Sequence, residues 1–112
     1  MLKSFLTLLV ASLVLQVAPA NSEEVNVYSA RKEALIKPLL DKFTEQTGIK
    51  VNLVTGKADA LISRAKSEGT LSPADLLLTT DVGRLVRAKD LDITQAISSD
   101  VVEKAIPENL RD

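Results

Sequence analysis

The sequence predicts an α/β fold with a parallel sheet, in the order β-α-β-α-β-α. Three observations predict it. Short runs rich in Val, Ile and Leu occupy residues 25–28, 49–54 and 75–79. Amphipathic stretches of helical period lie between them. Each connection is long enough to hold a crossover helix, the usual right-handed link between parallel strands. No internal repeat, low-complexity tract or interdomain linker breaks the alternation.

The elements follow in order. Residues 25–28 alternate and are β-branched at Val25 and Val27, which predicts a strand. Leu35, Ile36, Leu39, Leu40 and Phe43 then recur at helical spacing, with Lys, Asp, Glu and Gln on the other face. This stripe reads as core. Pro38 lies inside the pattern, where a proline breaks a helix interior. Either the helix starts near Lys37, with Pro38 in its first turn, or it kinks there. Gly48 after Thr47 supplies a C-terminal cap.

Residues 49–54 form the second predicted strand, and Thr55, Gly56 and Lys57 a turn. That turn lacks the Gly-x-x-x-x-Gly-Lys-Ser/Thr spacing of a phosphate loop. A second helix spans residues 58–68, with Leu61, Ile62 and Ala65 inward, Asp59 near its start as a capping carboxylate and Gly69 closing it. Residues 70–73 read as a loop. Leu76, Leu77 and Leu78 read as a buried parallel strand, with Asp75 before it satisfying backbone groups of the loop. Asp81 caps a short third helix reaching Ala88. Residues 91–97 are ambiguous. Ser99 caps a last helical turn or two ending before Pro107. The final residues, 109–112, show no terminal element of their own.

Residues 1–20 read as a signal peptide. Lys3 gives a minimal positive start, residues 5–15 are apolar apart from Ser and Thr, and Ala18 and Ala20 supply the small residues a signal peptidase needs. The apolar run is shorter than the ~20 residues of a spanning helix, so no stable membrane span is expected after cleavage. Residues 21–112 are then the mature chain. Without Lys3 it holds 13 basic and 15 acidic residues, a net charge of −2. That balance argues against nucleic acid or an anionic membrane surface as partner. No cysteine and no histidine is present. Disulfides, thiolate metal sites, imidazole ligands and the commonest general base are therefore excluded. No Gly-x-Ser-x-Gly elbow occurs either, and the chain does not read as an enzyme.

Four motifs in order carry a family resemblance: Tyr28-Ser-Ala-Arg-Lys-Glu33, Phe43-Thr-Glu-Gln-Thr-Gly-Ile-Lys-Val51, Ser72-Pro-Ala-Asp-Leu-Leu-Leu78 and Ala105-Ile-Pro-Glu-Asn-Leu-Arg-Asp112. Together they resemble the periplasmic ferric-iron-binding proteins of ABC transporters. The resemblance implies two α/β lobes with a ligand cleft between them, this chain being the βαβαβ start of the first lobe. It implies capture of Fe3+ in the periplasm and delivery to an inner-membrane permease driven by an ATPase. Members of the family are considerably longer, so the chain reads as an N-terminal fragment, a truncated product or a partial reading frame.

Fe3+ is a hard ion and prefers anionic oxygen. The resemblance implies several tyrosinate ligands, most of them from the second lobe, and by motif match Tyr28 is the candidate metal ligand here. Arg31 is the candidate contact for a companion anion such as carbonate, since its planar fork suits such an anion bidentately. Ser29 can add a hydrogen bond to it. Some relatives carry His and Tyr directly after this arginine, where Lys32 and Glu33 stand here. Others carry a glutamate ligand whose place falls on Thr80, with Asp81 a neighbour able to substitute. Tyr28 also fits a structural role, its ring packed and its hydroxyl bonded locally. Arg31 fits a solvated charge, and Asp81 a helix cap. Since these departures touch the variable ligand positions, a binding protein of the same fold for another metal, a polyamine or an oxyanion is a second reading. A non-functional remnant is a third.

Overall fold

The computed structural model describes residues 23–111. The predicted signal peptide therefore lies outside the described residues. Three parallel strands form one sheet in the order β2-β1-β3: β1 Glu24–Ser29, β2 Lys50–Thr55 and β3 Leu76–Leu78. Between and after them run α1 Glu33–Thr47, α2 Ala58–Glu68, α3 Val82–Asp90 and α4 Asp100–Ala105. Short 3-10 turns occupy Gly69–Leu71 and Glu108–Leu110.

The central strand is the first in sequence. Val27 pairs with Leu53 on one side and Leu76 on the other, and Tyr28 with Val54 and Leu77. Flanked on both edges, β1 contributes Val27, Tyr28 and Ser29 to the buried core, with Ala58, Leu61 and Ile62 of α2 and Ala88 of α3. Because β2 and β3 lie on opposite sides of β1, right-handed crossovers put α1 and α2 on opposite faces of the sheet.

Three expectations, and one of the two alternatives for α1, need correction. Helix α1 begins at Glu33, a full turn before Pro38. The proline therefore sits inside the helix and deprives the Ala34 carbonyl of its i+4 donor. The stripe on α1 is not core among the described residues: Leu35 is 63 % exposed and Leu39 64 %. Here α1 packs chiefly on β2, which covers too little of its width. Strand β3 is parallel as expected but not buried, since it lies at the sheet edge and Leu76 is 50 % exposed. Asp59 does not cap α2, whose flanking residue is Lys57 with no side-chain cap. Its carboxylate pairs instead with Arg87 and Arg84 of α3, at 2.6 and 3.5 Å.

The expected caps are otherwise present. Gly48 adopts φ 73°, the left-handed conformation that costs glycine least, and its N–H donates to the Thr44 carbonyl at 2.8 Å. Asp81 and Ser99 accept from the Arg84 and Val102 backbone N–H groups at the starts of α3 and α4. Asp75 satisfies backbone groups of β1 rather than of the loop: its Oδ2 accepts from the Asn26 N–H at 2.8 Å, and its own N–H donates to the Asn26 carbonyl. Residues 93–98 form no regular element.

Candidate functional site

The three strands end side by side, and two backbone bonds tie their ends. The Ala30 N–H donates to the Leu78 carbonyl at 2.8 Å, and the Gly56 N–H donates to the Ser29 carbonyl at 3.2 Å. Beyond these ends an open hollow of about 520 Å3 is bordered by Ala30, Lys57, Asp59, Thr80 and Arg84. The start of α2 forms part of its wall. The carboxyl ends of parallel strands, with helix starts around them, are where open α/β sheets hold ligands.

Electrostatics divide this hollow. Arg84 bonds Asp81 at 2.7 Å and lies 3.5 Å from Asp59, while Arg87 takes the other Asp59 oxygen. Both carboxylates are thus engaged by arginine. The Arg84 backbone N–H, and then its guanidinium, hold Asp81 below its ordinary range, and Asp81 in turn raises Arg84. The Lys57 amine has no hydrogen bond or ion pair among the described residues and borders the hollow, whose chemistry therefore suits an anion.

The five residues singled out by sequence do not converge. Thr80 borders the hollow and is exposed. Asp81 is the cap of α3. Ser29 is fully buried, and its hydroxyl oxygen accepts from the Arg31 N–H at 3.1 Å, shaping the turn from β1 into α1. Arg31 is exposed, and its guanidinium meets no carboxylate among the described residues.

Tyr28 lies elsewhere. Side chains alternate along β1, so it points to the face opposite Ser29. Its ring is 1 % exposed. Its hydroxyl donates to the Glu68 carboxylate, whose oxygens lie 2.9 and 2.8 Å away. Glu68 also accepts from Arg64 Nε at 2.6 Å and from the Ser72 hydroxyl at 2.7 Å. The Arg64 guanidinium sits 4.9 Å from the ring centroid, within cation–π range. Burial first, and then the bond to Glu68, push the Tyr28 phenol above its ordinary value. Ser72 and then Arg64 hold Glu68 below its own.

Sequence reasoning set Lys57 aside with the rejected phosphate-loop spacing and passed over Arg84, Arg64 and Glu68. A local signal existed for the last two, since Arg64 and Glu68 stand four residues apart on one helix face. Arg84 had a local signal only toward Asp81, three residues before it; it meets Asp59 only through packing of α3 on α2. Among the described residues, no group of three or more His, Cys, Asp or Glu side chains forms a metal cluster.

Comparison with known proteins gives the class. No protein-family model matches the chain. Iron uptake protein A1 of Synechocystis is 50 % identical over 93 residues, covering 83 % of this chain and 26 % of that protein. Iron uptake protein A2 of the same organism is 41 % identical over 106 residues, covering 95 % of this chain and 29 % of that protein. Among solved structures, a Trichodesmium protein described in complex with iron and citrate superposes with a TM-score of 0.75 at 50 % identity, covering 80 % of this chain and 28 % of that one. A Bordetella ferric binding protein gives 0.75 at 43 % identity, covering 80 % and 28 %. The chain is thus a homologue of the iron uptake and ferric-iron-binding proteins, and its α/β sheet matches the N-terminal part of the periplasmic binding fold. It spans little more than a quarter of the length of the relatives it matches.

Proposed function

We propose that this chain forms one wall of the cleft of a periplasmic ferric-iron-binding protein, the capture component of an ABC importer. The observation that carries the reading is the 50 % identity over 93 residues to a protein named for iron uptake, on a shared fold. Capture and release, rather than covalent chemistry, is the activity proposed. The partner is an inner-membrane permease, and residues 1–20 supply the export leader.

In this reading the strand-end hollow is the part of the cleft wall present here. Lys57 and Arg84 give it positive charge, Arg31 lies on the turn beside it, and Thr80 and the Ser29 turn shape its rim. These groups suit a companion anion, or an iron-bound carboxylate or carbonate, better than they suit bare Fe3+, which needs anionic oxygen ligands. Asp59 and Asp81, already paired with arginine, hold that positive charge in place. The same geometry favours an oxyanion as the alternative cargo.

A chimera tests the reading. Residues 23–111 would replace the matching segment of Synechocystis iron uptake protein A1, and ferric citrate would be titrated into it. Saturable iron binding supports the proposal. A folded chimera that binds phosphate or sulfate but no iron would favour the oxyanion alternative.

A further inference from the structure

We infer that Tyr28 is a positioning residue: through Glu68 it fixes the end of β1 at Ser29, and with it the turn to Arg31, and it does not coordinate iron. Four side chains make this device. Tyr28 comes from the central strand, Arg64 and Glu68 from α2, and Ser72 from the loop leading to β3. Glu68 is their hub, accepting from Tyr28, Arg64 and Ser72 within 2.9 Å. Arg64 closes the set over the ring face. Ser72 extends it, its Oγ accepting from the Ala74 N–H at 3.3 Å.

The arrangement leaves the phenol no role as a ligand in this structure. The buried hydroxyl is bonded to the Glu68 carboxylate, on the face of the sheet opposite Ser29. Arg64 and Ser72 fill other acceptor positions of that carboxylate, so it gains nothing by turning away. Tyr28 is also absent from the strand-end hollow, which Ala30 and Thr80 border from the ends of β1 and β3. One residue on, Ser29 is buried and orders the turn to Arg31. Holding Tyr28 therefore holds Ser29, and with it the two backbone bonds that align the strand ends.

The positioning claim stands without the iron reading; the statement about coordination rests on it, and two experiments separate them. In the 112-residue chain, Tyr28→Phe, Glu68→Gln and the double variant are compared by urea unfolding and amide exchange. The double variant should unfold at nearly the same urea concentration as the weaker single variant. Exchange at the Ala30 and Gly56 amides should be roughly tenfold faster in Tyr28→Phe. Additive shifts, or unchanged exchange at both amides, would overturn the positioning role. Should Glu68→Gln not fold, Ser72→Ala takes its place in the cycle. In the iron uptake chimera, Tyr28→Phe should keep the visible tyrosinate-to-iron band unchanged. Loss or displacement of that band would overturn the claim that Tyr28 stays off the metal. A parent chimera that binds no iron would instead contradict the proposed function, while the unfolding cycle still decides the positioning role.

Discussion

Asp59 Oδ1 accepts from Arg87 Nη1 at 2.6 Å, an ion pair that joins the first turn of α2 to the last turn of α3 across 28 residues of chain. Both side chains are about half exposed, so solvent screens the pair. Arg87→Gln should lower unfolding stability by less than about 1 kcal/mol. Urea unfolding at low and high salt checks this: the difference should shrink in high salt. A larger loss that persisted in salt would mean the pair is less hydrated than its exposure implies.

Acid should destabilise the chain through two carboxylates. Glu68 and Asp81 are held below their ordinary values of 4.5 and 3.8. A depressed folded value means that the stabilisation is fully present above the unfolded value. It is lost as pH falls through the folded one. Urea midpoints should therefore fall between about pH 4.5 and the lower folded values, and Glu68→Gln should flatten that dependence. An identical acid profile for the variant would show that Glu68 is not held as described.

Alkali acts with the opposite sign. The Tyr28 phenol is raised above its ordinary 10.0. Its contribution is fully present below that value and is lost as pH rises through the folded value. Tyr28 is the sole tyrosine, and the chain has no tryptophan, so ultraviolet ionisation reports on it alone. The midpoint in the folded chain should lie above 10.0, and the urea-unfolded chain should titrate near the ordinary value. Coincident curves would contradict the burial and the bond to Glu68.

Two leucine-like positions should respond very differently to truncation. Ile62 is 0 % exposed on the inner face of α2, and Ile62→Ala should cost about 2–5 kcal/mol. Leu39 lies on the open face of α1, and Leu39→Ser should cost no more than roughly 0.5 kcal/mol. Chemical denaturation of both variants provides the check. Similar losses would mean that the α1 stripe is covered in solution.

The contrast between those positions also explains what the sequence made legible. Periodicity named the alternating strands and helices, because Val25, Val27, Leu61 and Ile62 follow the pattern their surroundings require. Gly48, Asp81 and Ser99 were readable as caps, since capping is a local matter of one side chain or one φ angle. Periodicity also marked Leu35 and Leu39 as core, but it reports that a face is apolar and not what covers it. Asp59 was misread because its partners, Arg84 and Arg87, come from another helix. The site was less legible than the fold for the same reason. Tyr28 was found by motif, but its alternation to the Glu68 face depends on strand register. Lys57 and Arg84 come to border one hollow at the strand ends only through the β2-β1-β3 order.

The central claim is that these residues furnish one wall of a ferric-iron cleft. Its most direct measurement is titration of ferric citrate into the chimera of residues 23–111 with the remainder of Synechocystis iron uptake protein A1, followed by visible absorbance. The account predicts a tyrosinate-to-iron band that saturates at one iron per molecule. A folded chimera that develops no such band, and takes up no iron, would contradict it.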